Sequence, residues 1–285
     1  DAMAFAANSP AKVSAYCEDA GLPALRSALR EKLARENGMS SSSVMVTAGA
    51  NQAFTNVVLA LCDAGDRVAL FAPYYFNHKM CLQMTGCEIV HGARDPDTMF
   101  PSAVWVEQAL ADPSAALKMI VITNPCNPSG IVVPERTLER IATACASAGC
   151  WLVLDNTYEY FVYGDHKHHA IEAPHVINIF SFSKAYGMMG WRMGYIAFQD
   201  AQGGGRDDAA VAGETPTTWS LQAELLKIQD TIPICPTILS QHVAMGALKS
   251  GREWVDTKLA AVVENQQAIR GALTDVLGED NVKGG

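Results

Sequence analysis

The sequence predicts an α/β fold in which a doubly wound, mostly parallel sheet carries helices on both faces. Short β-branched or apolar runs alternate with longer segments of helical periodicity along most of the chain, as in strand–helix–strand units. These short runs are apolar almost throughout, which is typical of strands buried on both faces of a parallel sheet. Such sheets bind ligands beyond the carboxyl ends of their strands, so the residues after each strand indicate the function.

The individual elements follow from local patterns. Four leucines between Leu22 and Leu33 recur at three- and four-residue spacing, and Gly38 follows where a left-handed cap would lie, so a helix is predicted over residues 22–37. Strands are predicted at Val44–Thr47, Arg67–Phe71, Glu88–His91, Lys118–Thr123, Cys150–Leu154, Val176–Phe180 and Gly194–Phe198. Helices are predicted between them over residues 51–62, 75–85, 102–111 and 134–148, and after them over residues 221–229, 237–248 and 254–277. Residues 199–220 are rich in Gly, Ala, Asp and Thr, which predicts a flexible surface insertion.

Composition limits the classes of function. Of the 285 residues, 49% are hydrophobic and 18% are charged, which is typical of a globular protein rather than a disordered one. The net charge of −9 predicts no basic face for a nucleic acid, and no apolar run approaches the length of a membrane span. The eight cysteines include no Cys-x-x-Cys pair, so buried thiols and a reducing, cytoplasmic location are expected. The chain starts at Asp1 without a targeting-like segment, and we expect it to be a piece of a longer protein.

Two loops that follow strands carry groups suited to a phosphate. The first strand leads through Gly49 into a helix, where the free N–H groups of Ala50 and Asn51 could receive a dianion. By itself, this segment is also explained by a plain strand-to-helix turn with an Asn cap. Ser181 and Arg192 follow a later strand and offer a hydroxyl and a guanidinium to the same dianion.

A lysine and a carboxylate lie at the same predicted edge of the sheet. Lys184 is surrounded by Ser, Gly and aromatic residues, so it is a candidate for Schiff-base formation, the alternative being an ordinary surface lysine. Asp155 ends an apolar strand, where a carboxylate is costly unless a cation pairs with it. A protonated pyridinium nitrogen would be such a cation, and a turn or helix cap is the alternative role.

Three further residues could hold the same ring. Asn127 and Tyr158 could hydrogen-bond a phenolate oxygen, and Tyr75 could stack on the ring face. Taken singly, these residues could serve loop geometry or core packing. Their joint placement after consecutive strands favours a pyridine cofactor.

The motifs in these loops resemble those of the fold-type I pyridoxal-phosphate aminotransferases of class I/II over nearly the whole chain. Tyr16 and the segment Gly21-Leu-Pro-Ala-Leu-Arg26 resemble the family's Y…G-x-P-x-L-R segment. Asn124–Gly130 resembles its N-P-x-N-P-[ST]-G loop, and Ser181–Arg192 resembles its S-x-x-K…G-x-R motif. Features of plant-type aromatic aminotransferases that accept methionine as amino donor are found in three runs, Val46–Phe54, Asp155–Tyr160 and Phe180–Arg192.

The resemblance implies a role for each residue around the ring of pyridoxal 5′-phosphate. Lys184 would form the Schiff base and then move a proton as base and acid in turn. Asp155 would keep the pyridine nitrogen protonated. Asn127 and Tyr158 would bind the ring oxygen, and Tyr75 would stack on the ring.

The resemblance further implies a phosphate site and a partner subunit. The phosphate would be held by Gly49, Ala50, Asn51, Ser181 and Arg192. In this family the tyrosine that matches Tyr16 reaches the phosphate of the neighbouring subunit, so a homodimer is implied.

The implied activity is a ping-pong transfer of an amino group from an aromatic or methionine-like amino acid to a 2-oxo acid. Residues 1–250 would form the large cofactor-binding domain, and residues 251–285 the interdomain helix and the start of a truncated small domain. The arginine that grips the substrate carboxylate is expected in that small domain, and neither Arg94 nor Arg252 is assigned to the role. The alternatives are another fold-type I pyridoxal-phosphate enzyme of the C–S lyase or synthase type, a non-catalytic regulatory domain, or an inactive fragment.

Three other patterns invite an interpretation. The histidines within His166–His169 are expected to lie in an exposed loop and to bind no metal. Phe76, Met80 and Met84 recur at helical spacing and are expected to be core residues. Met188 and Met189 are expected to line a pocket for bulky apolar substrates.

Overall fold

The predicted sheet, mostly parallel and covered on both faces, is confirmed. The computed structural model describes residues 8–200 and 219–282. Its strands are β1 Ser43–Thr47, β2 Arg67–Phe71, β3 Glu88–Gly92, β4 Leu117–Thr123, β5 Trp151–Asp155, β6 Val176–Ser181 and β7 Gly194–Phe198. They lie in the order β1-β7-β6-β5-β4-β2-β3. Strands β2 to β6 pair in parallel, whereas β7 runs antiparallel to both β1 and β6.

Apart from the short α1, the helices match the predicted segments to within a few residues. They are α1 Pro10–Val13, α2 Pro23–Asn37, α3 Ala50–Leu61, α4 Phe76–Thr85, α5 Ala103–Ala111, α6 Glu135–Ala148, α7 Leu221–Thr231 and α8 Ile238–Leu277, with short 3₁₀ segments at Pro113–Ala115, Met189–Trp191 and Glu279–Asn281. Helix α2 ends at Gly38 in the left-handed conformation, as predicted.

The two helices predicted over residues 237–248 and 254–277 form the one long segment α8. Gly251 interrupts it with a non-helical conformation (φ 73, ψ 178). In the ranges 8–200 and 219–282, no helix combines the length and the apolar character that a bilayer crossing requires. The predicted insertion at residues 199–220 lies, apart from its two ends, outside the described residues.

Alternate strand residues build apolar layers on the two faces of the sheet. In β4, Met119 and Val121 belong to one layer, while Ile120 and Ile122 belong to the other. The first layer packs against α3, α4 and α7, and the second against α5 and α6. A third cluster joins α2 and α8 to β1, β6 and β7. Burial of both faces explains why most strand sequences are apolar. The exception is the edge strand β3, in which Glu88 and His91 are exposed.

The prediction that an apolar stripe on α4 faces the core is wrong. Phe76, Met80 and Met84 are each more than half exposed. The buried side of α4 carries His78 and Leu82 instead. Successive residues of a helix are about 100° apart, so a shift of two positions places side chains on nearly opposite sides. The segment is helical as predicted, but the side of the helix that faces the core is the opposite one.

A buried ion pair ties α2 to the loop that follows β5. Lys32 Nζ lies 2.6 and 2.5 Å from the two carboxylate oxygens of Glu159, and the two side chains are only 3% and 8% exposed. Asn37 Oδ1 accepts a hydrogen bond from Lys32 at 2.9 Å, and Asn37 Nδ2 donates one to Glu159 at 2.9 Å. Because both charges are partnered, the pair anchors the loop that carries Tyr158.

Lys32→Met should destabilise the protein by about 3–5 kcal/mol, because it leaves the Glu159 carboxylate buried without its cation. The free energy of unfolding from urea denaturation measures this loss. Lys227→Met is the matched control, since Lys227 pairs with Glu224 at the surface of α7, where such a pair contributes at most about 1 kcal/mol. Equal losses in the two variants would contradict a special contribution from the buried pair.

Candidate active site

A cleft of about 540 Å³ opens at the edge of the sheet where β4, β5 and β6 end. Its lining residues are Ala50, Asn51, Tyr75, Thr123, Asp155, Thr157, Tyr158, Ser181, Ser183, Lys184, Met189 and Arg192. They include all the residues predicted to bind or react with a ligand except Gly49, Asn127 and Tyr16. Met189 also lines the cleft as expected, whereas Met188 is buried in the core, contrary to the prediction.

Backbone and guanidinium groups meet at one end of the cleft. Helix α3 begins at Ala50, and the preceding Gly49 has a φ of 85°. A Cβ atom on Gly49 would lie 2.3 Å from Arg192 Nη2, so the missing side chain makes room for the guanidinium. Arg192 donates to the carbonyl oxygens of Met189 at 2.8 Å and Ala48 at 3.4 Å. It forms no ion pair with a carboxylate of the described residues, so a guanidinium and free helix N–H groups are available to an anion.

The first residue of β7 determines how closely these loops approach one another. A Cβ atom on Gly194 would lie 2.7 Å from the Gly49 carbonyl carbon, 2.8 Å from the Ala50 nitrogen and 2.9 Å from the Phe180 carbonyl oxygen. Real Cβ atoms do not approach backbone atoms this closely, so any side chain here would push the loops apart. The close approach of the start of α3 to the start of β7 therefore depends on a glycine at this position.

The buried carboxylate of Asp155 has partners within the chain. His78 Nε2 lies 3.1 Å from Asp155 Oδ2, and Thr157 donates to Oδ1 from its backbone nitrogen at 3.0 Å and its hydroxyl at 2.6 Å. Asp155 is thus partnered by side chains of the chain itself, and a cofactor is not its sole possible partner. His78 was missed from the sequence, although it follows Tyr75 by about one helical turn.

These contacts set the charge state of Asp155. Burial raises the pKa of the carboxyl group, but the hydrogen bonds and charge of His78 and the hydrogen bonds of Thr157 outweigh burial, so the pKa lies below its ordinary value. The carboxylate is therefore ionised at neutral pH. A cation placed in the cleft would find it already charged.

Two side chains predicted to bind one ring oxygen lie in contact. Asn127 Nδ2 donates to the Tyr158 hydroxyl at 3.2 Å. Tyr158 lines the cleft, whereas Asn127 lies in an adjoining depression beside Phe161 and Tyr163. Burial, together with the neighbouring Tyr75 and Asp155, raises the pKa of Tyr158 despite the Asn127 hydrogen bond. Tyr158 thus keeps its proton and can donate it into the cleft.

Lys184 is exposed within the cleft. Its Nζ lies 6.0 Å from the ring centroid of Tyr158, and it pairs with no carboxylate of the described residues. Ser181 Oγ accepts a hydrogen bond from the Ser183 nitrogen at 3.1 Å. The hydroxyl proton of Ser181 and the amine of Lys184 are both available to a ligand.

Tyr75 stands at the start of α4 and contributes a ring to the cleft. Its hydroxyl accepts from Asn77 Nδ2 at 3.0 Å and donates to Asn51 Oδ1 at 3.5 Å. The ring meets that of His78 edge-on, with 5.4 Å between centroids. Edge-to-face packing and polar contacts thus hold Tyr75 in place.

Other candidates lie outside the cleft. Tyr16 is 77% exposed and is not part of the lining. Arg94 donates to backbone carbonyls, among them those of Phe71 and Met99, and Arg252 pairs with Asp256. Neither arginine lines the cleft.

The histidines of the segment 166–169 have other partners. His168 Nε2 lies 2.8 Å from Asn156 Oδ1, and His169 Nδ1 lies 3.4 Å from Glu135. Burial lowers the pKa of His168 to about 3, so it is neutral. The expected exposure of the histidines is therefore wrong for His168, which packs against the buried Asn156. In the part of the chain that the structure describes, no three metal-ligating side chains gather in one place.

Comparisons with known proteins agree on one family. The family model described as "Aminotransferase class I and II" matches residues 2–283. The "Aromatic aminotransferase ISS1" of Arabidopsis thaliana is 49% identical over 274 residues, which is 96% of this chain and 65% of that protein. The "Aspartate/prephenate aminotransferase" of Thermus thermophilus is 36% identical over 185 residues, 63% of this chain and 47% of that protein. The chain thus spans less than two thirds of the length of these relatives.

Solved structures show the same architecture. A crystal structure of an aminotransferase from Mycobacterium tuberculosis superposes with a TM-score of 0.81 at 27% identity, covering 100% of this chain and 70% of that one. A mutant aspartate aminotransferase of Thermus thermophilus superposes with a TM-score of 0.78 at 26% identity, covering 96% of this chain and 71% of that one.

Gly49→Ala should weaken the binding of inorganic phosphate by about tenfold or more, because the added methyl displaces the Arg192 guanidinium. Phosphorus NMR titration measures the affinity. Gly65→Ala is the matched control, since Gly65 also has a positive φ (92°) but open space around its Cβ position. Both variants should lose about 1–3 kcal/mol of stability through backbone strain. Equal loss of phosphate affinity in both would rule out the clash as the cause.

His78→Phe should raise the pKa of Asp155, because it removes a hydrogen bond that lowers this pKa and leaves the burial that raises it. At pH values between the lowered pKa of Asp155 in the folded protein and the ordinary value of about 3.9, the unfolded wild-type chain binds more protons than the folded chain. The free energy of unfolding of the wild type therefore rises with pH in this range. This rise should be smaller in the variant, as measured by urea denaturation from pH 2 to 5. His91→Phe is the control, because His91 is exposed, and it should leave the rise with pH unchanged. An unchanged rise in His78→Phe as well would contradict an effect of His78 on the pKa of Asp155.

Proposed function

Because the chain belongs to the class I and II aminotransferases, we propose that it transfers the amino group of an amino acid to a 2-oxo acid, with pyridoxal 5′-phosphate as cofactor. The observation that carries this proposal is the arrangement of one cleft. A free lysine amine, a buried ionised carboxylate and a guanidinium without a carboxylate partner among the described residues surround the same space.

The residues present fit the proposed cofactor. The anion-binding end offers Arg192, Ser181 and the N-terminus of α3 to a phosphate dianion. Asp155 is charged, lines the cleft and would hold a proton on a pyridine nitrogen. Tyr75 supplies a ring face for stacking.

Pyridoxal phosphate, when bound, supplies an electrophilic aldehyde and an electron-withdrawing ring that makes the α-proton of an amino acid removable. Lys184 would hold the cofactor covalently until the amino group of the substrate displaced it, and the released Lys184 amine would then move a proton between the substrate Cα and the cofactor C4′. Tyr158 would donate its retained proton to the ring oxygen, with Asn127 fixing the orientation of its hydroxyl. Asp155 would keep the ring nitrogen protonated throughout.

We propose aromatic or methionine-like amino acids as donors. The resemblance to the Arabidopsis protein named an aromatic aminotransferase supports this class, and the apolar side chain of Met189 at the cleft suits a bulky substrate. Residues 1–250 would form the cofactor-binding domain, with Gly251 marking the start of the helix that leads to a second domain. That domain would supply the carboxylate-binding arginine.

A homodimer is the proposed assembly. Tyr16 is exposed and outside its own cleft, as a residue that serves the partner's phosphate would be.

Borohydride reduction of the protein with pyridoxal phosphate should leave a stable label on Lys184, located by peptide mass spectrometry. Lys184→Ala should lose the label and essentially all transfer from an aromatic amino acid to a 2-oxo acid. Lys167→Ala, in the exposed loop of the histidine segment, is the control and should keep both. A label on another lysine would contradict the assignment. Release of ammonia instead of amino-group transfer would indicate a lyase.

A further inference from the structure

A chain of three side chains links the first turns of α3 and α4. Asn77 Nδ2 donates to the Tyr75 hydroxyl at 3.0 Å, and this hydroxyl lies 3.5 Å from Asn51 Oδ1. The types of donor and acceptor fix the direction of these two hydrogen bonds, because an amide nitrogen only donates, an amide oxygen only accepts and a phenol has one proton. With its oxygen accepting from Asn77, Tyr75 directs its proton to Asn51.

We propose that this chain turns the N–H groups of the Asn51 amide toward the phosphate, and that Asn77 is a positioning residue acting through Tyr75. The inference rests on the proposed cofactor and adds a determinant of phosphate recognition to it. Since Asn51 Oδ1 is engaged by Tyr75, its Nδ2 is directed away from Tyr75 in the cleft that Asn51 lines together with Arg192. The amide thereby adds donors to the guanidinium and the helix N-terminus.

The opposite orientation would disfavour an anion. If the Tyr75 proton turned away, Asn51 would have to donate its Nδ2 to the phenol oxygen. Its Oδ1 would then face the dianion, and two acceptors would meet without a proton between them. The hydrogen bond from Asn77 disfavours this reversal, because it occupies one side of the phenol oxygen and leaves the side toward Asn51 to the proton. Tyr75 therefore contributes its hydroxyl to phosphate recognition as well as its ring to stacking.

The experiment compares the binding of pyridoxamine 5′-phosphate and pyridoxamine to the purified protein by fluorescence titration. The dissociation constant of pyridoxamine divided by that of pyridoxamine 5′-phosphate reports recognition of the phosphate. Stacking and ring contacts affect both ligands alike and leave this ratio unchanged. Tyr75→Phe keeps the ring and removes the hydroxyl, and it should reduce the ratio about tenfold, as expected for loss of a hydrogen bond to a charged group. Asn77→Ala should reduce it in the same direction, with pyridoxamine affinity almost unchanged.

A double-mutant cycle tests whether both residues act through Asn51. In an Asn51→Ala background, Tyr75→Phe and Asn77→Ala should have no further effect on the ratio. Tyr74→Phe is the matched control, because Tyr74 stacks on His91 and does not line the cleft, and it should leave the ratio unchanged.

The outcomes separate the two proposals. A wild-type protein that binds both ligands equally would overturn the proposed phosphate site and, with it, the orientation of Asn51. A wild-type preference for the phosphorylated ligand that persists in Tyr75→Phe and Asn77→Ala would overturn only the orienting chain. Losses that remain after Asn51→Ala would also overturn it, since they would show that the hydroxyl acts on the ligand directly.

Discussion

Backbone contact between the start of β7 and the turn before α3 is the constraint on which the cleft depends. Gly194 lies against Gly49 and Ala50 at distances that admit no side chain. This contact brings the residues after β1 next to those that precede β7, so the N-terminus of α3 faces Arg192. Gly49 then leaves the space that the guanidinium fills. Two glycines thus let rigid elements, rather than mobile side chains, position the positive end of the cleft.

The lining of the cleft carries both signs of charge. Arg192 and the start of α3 contribute the positive groups, and the Asp155 carboxylate contributes a negative one. The hydrogen bonds of His78 and Thr157 offset the cost of burying this carboxylate and keep it ionised. A ligand that carries both a dianion and a protonated ring nitrogen would find an opposite charge for each in the same cleft.

The sequence indicated most of the fold and of the cleft because both follow from strand ends. Continuous apolar runs identify buried strands, and parallel strands share one carboxyl edge, so Asp155, Ser181 and Lys184 could be placed together. The insertion of β7 between β1 and β6 depends on long-range pairing that no local pattern encodes.

Helix orientation explains what the sequence did not indicate. The periodicity of α4 is visible in the sequence, but its more apolar stripe, Phe76, Met80 and Met84, is the one that faces away from the core. A core position for Met80 implies an outward-facing His78, whereas the side chain of His78 is buried against Asp155. The contacts of Asn77 depend on the same rotation.

The position of β1 in the sheet also makes the cleft depend on residues that are far apart in the sequence. Among the described strands, β1 pairs with β7 alone, and Thr47 lies opposite Gly194, a partner about 150 residues later in the chain. Closing so long a loop is slow compared with forming the local parallel pairs between β4, β5 and β6. The turn at Gly49 and the residue Arg192 flank this late pairing. The approach of α3 to Arg192 therefore depends on a strand pairing that is distant in sequence, whereas Asp155 and Lys184 are positioned by strands that pair with near neighbours in the chain.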